Sequence, residues 1–423
     1  MNESIAFVGM THLGLISAVA AAEKGFQVIC FDPKINLIDE LNKGDLSISE
    51  PDLPEFLMKN LKQGSLSFTA DPGMIKKCSV VYVAPDVSTN EKGESDLNLI
   101  DQLLDIVFEN TSANNTIVIL SQVPPGYTRT KLRHDTVLYY QVETLIFGEA
   151  ISRALFPERF MIGCLDPDAS LPSTYQKFLE SHSCPILKMR YESAELAKIS
   201  INMCLVASIS VANTLAELCE EIGANWSEII PALRLDKRIG EYSYLKPGLG
   251  ISGGNLERDL ATVVAYSNKL GTDNGTVKAW IENSKRRKNW LWTTLRKTVW
   301  ESNRSKRVGV LGLTYKENTH SLKNSPALFF LSKMVGYNVV AYDPAAALDA
   351  APIYVTRANS MFDVLDGADI LILATPWPEF SLIGTDDLIE KMKGRVVIDP
   401  YGILNEIDLK SSGFSYFKLG TSL

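Results

Sequence analysis

The chain has 423 residues, of which 46% are hydrophobic, and a formal net charge of −8 at neutral pH. This length predicts two or three domains, and the acidic balance argues against a nucleic-acid partner. No apolar run looks long enough to span a bilayer and the N-terminus has no secretory pattern, so we expect a cytoplasmic protein without a membrane partner. The six cysteines form no C-x-x-C pair, which predicts reduced thiols, and we expect no metal site.

The first third of the chain alternates short apolar strands with helical stretches. Strands are predicted at residues 5–8, 28–31, 80–83 and 117–120, with an alanine-rich helix at 13–23. This alternation predicts a parallel sheet with helices on both faces.

The pattern changes between residues 192 and 300, where long helices are predicted at 192–222, 256–270 and 275–300 around a glycine-rich run at 248–254. The first helix carries an apolar stripe, for which core packing is the simplest interpretation. The stripe consists of Leu196, Ile199, Met203 and Ala207. Cys204 in the same helix is also expected in the core. A long helix between two α/β domains would also suit a dimer interface.

The last third returns to the α/β pattern, with strands at 307–312, 339–342, 370–373 and 396–399 and a helix from Ser325. The predicted fold class is therefore α/β, with two Rossmann-like, doubly wound parallel-sheet domains joined by long helices. The expected boundaries are 1–190 for a dinucleotide-binding domain, 191–300 for the helical region, and 301–423 for a second Rossmann-like domain.

The run G-M-T-H-L-G at residues 9–14 follows a strand and opens a helix, which is the context of a dinucleotide-binding loop. Asp32 ends the next strand, where a carboxylate can bond the ribose hydroxyls and would repel the 2′-phosphate of NADP, so NAD is favoured. Thr11 replaces the second glycine; its Cβ adds bulk near the pyrophosphate, although its hydroxyl could bond a phosphate. A pure folding role is the alternative. The predicted cofactor contacts here are Gly9, Thr11, His12, Leu13, Gly14 and Asp32.

A second loop, S-Q-V-P-P-G at residues 121–126, also follows a strand directly, and ligands of α/β sheets bind beyond the carboxyl ends of strands. We expect Pro85, Ser121 and Gln122 to contact the cofactor, although a proline-fixed turn is the simpler interpretation. In the helical region, Glu195, Lys198 and Asn202 share one helix face. A desolvated lysine there could stabilise an alkoxide, whereas the bland alternative is a solvated charged face.

Five segments, in order, resemble the UDP-glucose/GDP-mannose dehydrogenase family, and with them the resemblance covers essentially the whole chain. They are S-Q-V-P-P-G at 121–126, E-L-A-K-I-S-I-N at 195–202, R-I-G at 238–240, G-L-G-I-S-G-G-N-L-E-R-D at 248–259, and G-L-T-Y-K-E-N-T at 312–319 followed by S-P-A at 325–327.

The resemblance implies an NAD domain, a helical dimerisation region and a UDP-sugar domain in a homodimer. It also implies oxidation of a nucleotide-sugar primary alcohol to a carboxylate with two NAD, in polysaccharide or antibiotic-sugar assembly by analogy only. The implied catalytic residues are Glu143, Lys198, Asn202, Asn255 and Asp259. The implied substrate contacts are Glu143, Lys198, Asn202, Arg238 (across the dimer), Tyr244, Gly248, Gly250, Tyr315 and Lys316.

The chain departs from the family at the chemistry. The nucleophilic cysteine aligns with Asn255, a second active-site carboxylate with Phe147, and an arginine near the C-terminus with Tyr401. The family's Arg-Glu pair before S-P-A aligns with Lys323 and Asn324. Aldehyde-to-acid oxidation usually passes through a thiohemiacetal, which an amide cannot form.

Three hypotheses follow for the reaction. The first is a single hydride transfer on a nucleotide sugar by a two-electron dehydrogenase, a reductase or an epimerase. The second is a non-catalytic or regulatory protein that binds NAD or a UDP-sugar. The third is an ordinary four-electron dehydrogenase in which Asn255 supports a hydrate.

Overall fold

The computed structural model of the protein describes residues 4–90, 95–298, 305–347 and 351–422. The chain divides into two compact units, Met1–Ile201 and Asn202–Leu423, and each is described by itself. Both units contain a sheet covered by helices, as the sequence predicts.

The first unit is built on an eight-stranded sheet in the order β3-β2-β1-β4-β5-β6-β7-β8. The strands are β1 (Ser4–Val8), β2 (Gln27–Phe31), β3 (Leu66–Thr69), β4 (Val80–Val83), β5 (Thr116–Ile119), β6 (Val137–Gln141), β7 (Phe160–Cys164) and β8 (Ile186–Arg190). All neighbouring pairs are parallel except β6 and β7. That pair is antiparallel because the connection 142–159 returns the chain at the edge where β6 ends. The predicted parallel sheet is thus confirmed, with one antiparallel pair added.

Helices cover both faces of this sheet. They are α1 (His12–Glu23), α2 (Ile35–Lys43), α3 (Leu53–Gln63), α4 (Asn98–Glu109), α5 (Tyr127–Thr130), α6 (Ala150–Leu155) and α7 (Ser173–Glu180), with a 3₁₀ turn at Pro72–Lys77. Because the central strands β4 and β5 are enclosed on both sides, every residue in them is buried. Helix α1 is buried along most of its length, which its alanine-rich sequence permits.

The long helices are α8 (Tyr191–Ile222), α9 (Trp226–Leu235), α10 (Asn255–Leu270), α11 (Gly275–Lys288) and α12 (Trp290–Thr298). The prediction of one helix over 275–300 is wrong, because Asn289 separates α11 from α12. Residues 299 and 300 lie outside the described residues. The Asn289 side chain donates to the carbonyl oxygen of Lys285 at 3.2 Å. An asparagine side chain that bonds the backbone in this way competes with helix continuation.

Helix α8 corrects two expectations. By length and composition it could span a membrane, with a mean hydropathy of 1.6 over its most apolar window, so the expectation that no apolar run is long enough is wrong. Its predicted stripe is only partly core, because Ile199 is buried whereas Leu196 is exposed. Cys204, which was also expected in the core, is exposed. Four more exposed apolar side chains follow at helical spacing, and we call them the exposed stripe: Val211, Leu215, Leu218 and Ile222.

The second sheet has six strands in the order β11-β10-β9-β12-β13-β14, and all neighbours are parallel. The strands are β9 (Arg307–Leu311), β10 (Asn338–Tyr342), β11 (Thr356–Arg357), β12 (Ile370–Leu373), β13 (Val396–Ile398) and β14 (Ser415–Phe417). Its helices are α13 (Pro326–Ser332), α14 (Met361–Leu365), α15 (Thr385–Lys391) and α16 (Glu406–Ser411), with a 3₁₀ turn at Pro378–Leu382.

The two sheets share one topology. Strands β1 to β6 of the first sheet and all six strands of the second follow the order 3-2-1-4-5-6 within their own sheet, which is the doubly wound Rossmann arrangement. The prediction of two Rossmann-like domains is confirmed. In each sheet the topological switch point lies at the carboxyl end of its first strand, beyond Val8 in β1 and Leu311 in β9, and ligands of this fold bind at that point.

Candidate functional site

The two outer glycines of the G-M-T-H-L-G run are required by close packing. Gly9 has a φ of +93°, which favours glycine, and its N–H donates to the carbonyl oxygen of Phe31 at 2.9 Å. A Cβ on Gly14 would lie 2.0 Å from the Gly9 carbonyl oxygen. The loop therefore makes the tight turn from strand to helix that a dinucleotide-binding loop needs.

Thr11 sits without backbone strain at the start of α1, with a φ of −86°. Its hydroxyl accepts the N–H of Asp86 at 2.7 Å, so it is engaged within the protein. The Asp86 carboxylate in turn accepts the N–H of Leu13 at 3.3 Å. One N–H donor at the helix N-terminus, where a pyrophosphate is expected to bind, thus already faces a carboxylate of the chain.

Asp32 ends β2 and is buried, with 6% of its surface exposed. Its two oxygens accept the N–H groups of Met10 at 2.9 Å and Lys34 at 3.0 Å. A carboxylate offers about four lone-pair positions, so these two bonds leave capacity for ribose hydroxyls. Together with the glycine turn, Asp32 fits NAD at this loop once Asp86 withdraws from Leu13.

The loops after β4 and β5 contact each other. The Ser121 hydroxyl, fully buried, donates to the carbonyl oxygen of Pro85 at 2.5 Å. Gln122 follows and is half-buried. These three predicted residues therefore lie together at the carboxyl edge of the first sheet.

Glu195 anchors the loop at residues 121–126, which we call the proline loop. Its position on a helix face did not reveal this role. Its carboxylate is fully buried and accepts the N–H groups of Gly126 at 2.5 Å and Thr128 at 2.8 Å. Burial raises the pKa of this carboxyl, although the donated hydrogen bonds oppose the shift. Glu195 therefore fixes the loop against α8, one turn before Lys198.

Lys198 and Glu143 form an ion pair at 3.0 Å, and both side chains are largely buried. The second oxygen of Glu143 accepts the N–H of Leu145 at 2.9 Å, which folds the segment 143–148 back on itself. We call this segment, E-T-L-I-F-G, the substrate loop. Phe147 within it is half exposed and packs its ring 4.3 Å from the ring of His12.

In the second unit, Asn202 on α8 donates to the Asp259 carboxylate on α10 at 2.5 Å. Arg258 pairs with the other oxygen at 3.3 Å. Asp259 is 1% exposed, and these partners offset the cost of burying its polar side chain. The two predicted catalytic residues are thus brought together, with Arg258 as a partner that the sequence did not indicate.

Asn255 is exposed and is the first residue of α10. A helix N-terminus carries partial positive charge and lowers the pKa of a thiol placed there. An amide at the same place gains no such activation. The structure therefore puts Asn255 where a thiolate would be stabilised, and an amide cannot act as one.

The glycine-rich loop before α10 packs against Tyr315, another predicted substrate contact. A Cβ on Gly253 would lie 2.8 Å from the Tyr315 ring, and one on Gly250 would lie 2.6 Å from the carbonyl oxygen of Ser284. The N–H of Gly248 donates to Asn213 at 2.8 Å. Lys316, next to Tyr315, is half-buried.

Lys323 and Asn324, two further departures from the family, also contact this loop. The N–H of Gly253 donates to the carbonyl oxygen of Lys323 at 3.1 Å. The Asn324 amide donates to the carbonyl oxygen of Gly253 at 3.3 Å and also bonds Glu257. Lys323 and Asn324 therefore hold the loop that carries Asn255.

Two predicted substrate contacts stand apart from this group. The Arg238 side chain is 89% exposed and pairs with Asp236, two residues earlier, at 2.6 Å. Tyr244 is 48% exposed. A role for Arg238 across a dimer stays a prediction.

The carboxyl edge of the second sheet has the same arrangement as the first, with a glycine turn after its first strand and an aspartate after the next. Gly312 has a φ of +94° and donates to the carbonyl oxygen of Tyr342 at 2.8 Å, as Gly9 does to Phe31. Asp343, like Asp32, ends the following strand, but it accepts four backbone N–H groups as well as a hydroxyl and an indole N–H. Burial alone would raise the pKa of Asp343, and these donors hold it below its ordinary value.

Models of three domains of one family match the chain in order. The NAD binding domain of the UDP-glucose/GDP-mannose dehydrogenase family matches residues 3–179, the central domain matches 192–285, and the UDP binding domain matches 309–406. The chain is 28% identical to UDP-glucose 6-dehydrogenase TuaD of Bacillus subtilis, over 99% of this chain and 93% of that protein. It is 27% identical to UDP-glucose 6-dehydrogenase of Rickettsia typhi, over 99% of this chain and all of that protein.

Solved structures share the fold. UDP-glucose dehydrogenase of Pyrobaculum islandicum has a TM-score of 0.85 at 24% identity, covering 100% of this chain and 98% of that one. UDP-D-ManNAc dehydrogenase of Pyrococcus horikoshii has a TM-score of 0.84 at 24% identity, covering 99% of both chains. Because all three domain models match in order, the chain belongs to the UDP-glucose/GDP-mannose dehydrogenase family of NAD-dependent nucleotide-sugar dehydrogenases.

Proposed function

We propose that the protein oxidises the primary alcohol of a UDP-sugar with NAD and transfers a single hydride per turnover. The carbinol carbon loses a hydride and its hydroxyl loses a proton, which leaves an aldehyde. The reverse reduction would use the same step. Epimerisation would instead take the hydride from a stereogenic ring carbon and return it to the opposite face of the transient ketone. The observation that carries this proposal is Asn255, which is exposed at the start of α10 where the family has its nucleophile.

The retained residues suit this half of the family reaction. Bound NAD supplies the hydride acceptor. The Lys198 ammonium, held by Glu143 at 3.0 Å, stabilises the oxyanion that develops as the hydroxyl loses its proton. Glu195 fixes the proline loop one turn away on the same helix. In the second unit, Asn202 and Arg258 contact the two oxygens of the Asp259 carboxylate.

The second oxidation lacks its nucleophile. Oxidation of an aldehyde through a covalent intermediate needs a thiolate, and none of the six cysteines lies in the glycine-rich loop. The Asn255 amide can donate a hydrogen bond to a carbonyl or a hydrate, but it cannot form a thiohemiacetal. Phe147 removes a carboxylate that the family places in the substrate loop.

An ordinary four-electron oxidation to a carboxylate is the second candidate, and the relatives favour it more than the single step. Relatives named UDP-glucose 6-dehydrogenase align over nearly the full length at 27–28% identity. In that case Asn255 would hold an aldehyde hydrate for a second hydride transfer. A binding protein without turnover is the remaining possibility that the experiment separates.

We also propose that the protein is a homodimer. The exposed stripe on α8 has the spacing i, i+4, i+7, i+11, which gives one continuous apolar face of a helix. A second copy of the same face would cover it. This proposal also accounts for the apolar composition of α8 without a membrane.

The product and the NADH yield distinguish these candidates. Purified protein is incubated with NAD and a panel of UDP-sugars and GDP-mannose, NADH is followed by absorbance, and products are identified by mass spectrometry. One NADH per aldehyde supports the proposal, and a changed sugar without net NADH supports epimerisation. Two NADH per carboxylate would overturn the single step in favour of the second candidate. Tight binding without any product would overturn both.

A variant sharpens the same assay. Asn255→Cys restores a thiol at the helix N-terminus, and we expect a measurable fraction of carboxylate product that the wild-type protein does not form. Asn255→Ser, which restores no thiol, is the matched control. Equal carboxylate yields from the wild type and both variants would show that position 255 does not limit the second oxidation.

A further inference from the structure

The first unit contains a buried carboxylate that the proposed reaction does not use. The Glu50 side chain is fully buried and lies in the connection between α2 and α3. Removing a carboxylate from water is costly unless hydrogen bonds and charge compensate for it. Its partners therefore show why the fold retains it.

Glu50 bonds two separate segments of the chain. One oxygen lies 2.8 Å from Nε2 of His12, and because an ionised carboxylate only accepts, the imidazole donates from Nε2. The N–H of Gly148 donates to both oxygens at 3.1 and 3.0 Å, and the N–H of Ala150 lies 3.5 Å from one of them. A single buried carboxylate thus joins His12 to the chain around Gly148.

These two segments are the G-M-T-H-L-G run at residues 9–14, which we call the cofactor loop, and the substrate loop. His12 is the first residue of α1, at the end where the pyrophosphate of NAD is expected. Gly148 closes the substrate loop, which begins at Glu143, the partner of Lys198. A second contact joins the same segments, because the Phe147 ring packs on the His12 ring with centroids 4.3 Å apart and a 35° tilt.

We propose that Glu50 is a positioning residue that couples binding of the dinucleotide to binding of the nucleotide sugar. The inference rests on the proposed function, since it assigns NAD to the cofactor loop and the sugar to the substrate loop. A ligand that fixes His12 also fixes Glu50, and Glu50 fixes the end of the substrate loop. The coupling is reciprocal, because a free energy shared between two binding sites acts equally on both ligands.

Glu50→Gln tests this coupling with little change in shape. One amide oxygen still accepts a hydrogen bond, but the amide nitrogen cannot accept one from Gly148. Glu109→Gln is the matched control, because Glu109 is an exposed carboxylate at the end of α4. Calorimetry measures the Kd of UDP-glucose with and without saturating NADH, a pair that binds without turnover.

We expect NADH to tighten UDP-glucose binding about tenfold in the wild type and in Glu109→Gln, but by a factor near one in Glu50→Gln. General damage to the fold would weaken the binding of each ligand measured alone. Loss of coupling instead leaves each Kd for a single ligand within about threefold of wild type, well below that tenfold effect. This pattern separates a positioning role from a purely structural one.

A second variant covers the case in which Glu50→Gln does not fold. Phe147→Leu alters a half-exposed side chain and is expected to lower the coupling factor about threefold by removing the ring contact. Unchanged coupling in both variants, or a factor near one in the wild type, would overturn the coupling and leave the proposed function standing. A wild-type protein that binds neither NADH nor UDP-glucose would overturn both.

Discussion

Asp86→Asn should tighten NAD binding by about tenfold. The Asp86 carboxylate lies 3.3 Å from the N–H of Leu13 at the start of α1. A phosphate oxygen bonded to that N–H would stand about 2.9 Å from the nitrogen, so both anions cannot occupy the position. Asparagine keeps the size of the side chain and the backbone bond to Thr11, and it removes the charge.

The magnitude follows from the charge separation after Asp86 withdraws. Two unit charges about 5 Å apart at an effective dielectric constant of about 40 repel by about 1.7 kcal/mol. Asp86 is exposed, so salt screening reduces this repulsion to about 1 kcal/mol. The broken contact to Leu13 adds about 0.5 kcal/mol. The total of about 1.5 kcal/mol corresponds to about a tenfold change in Kd.

Fluorescence titration with NADH at low and high ionic strength measures the effect. The gain should shrink as salt increases, because the term is electrostatic. Asp39→Asn on α2, which removes an exposed charge elsewhere in the same unit, should change the Kd little. If Asp86→Asn bound NADH more weakly than wild type, Asp86 would be a contact for the cofactor rather than its competitor, and the reasoning would be refuted.

Three further predictions address assembly, stability and the paired carboxylates. Leu218→Glu on the exposed stripe should convert a dimer to a monomer by light scattering, whereas Glu221→Gln on the same helix should not; a dimer that survives Leu218→Glu would exclude the stripe as the interface. Burial lowers the pKa of His182 to about 4, so folding favours its neutral form. The stability it contributes is complete above about pH 6.5 and falls by about 2 kcal/mol between about pH 7 and pH 5. Denaturant titrations should show that His182→Phe loses less unfolding free energy than wild type over that pH range. The same pH dependence in both proteins would contradict this. Asp32→Asn should raise the Kd for NADH about tenfold with little change in stability, whereas Asp343→Asn should cost about 3 kcal/mol in unfolding; the reverse pattern would show that Asp32 is the structural carboxylate.

Most of the enclosed central strands could be predicted from the sequence, although β7, which is buried throughout, was not. The residues of β4 and β12 are all buried, and a strand covered on both faces consists of a continuous apolar run. Strands β8, where no residue is fully buried, and β11, which has two residues, were also not predicted. Neither offers a hydrophobic period, so their place in the sheet depends on tertiary pairing.

The site was predictable where a motif fixes the backbone, and much less where contacts are distant in sequence. The Gly9 turn follows from steric rules that act within a few residues. Glu50 is 38 residues from His12 and 98 from Gly148, and no local pattern links such positions. Asp86 is 75 residues from Thr11 and was missed for the same reason.

The departures from the family are integrated into the fold. Thr11 replaces a glycine, and its hydroxyl accepts the N–H of Asp86. Phe147 replaces an acidic residue, and its ring packs on His12. Asn324 bonds the glycine-rich loop at Gly253. A site that had only lost its function would be expected to leave such side chains without partners. Because each of these replacements has its own partner, these positions do not show the loss of contacts expected of a decayed site.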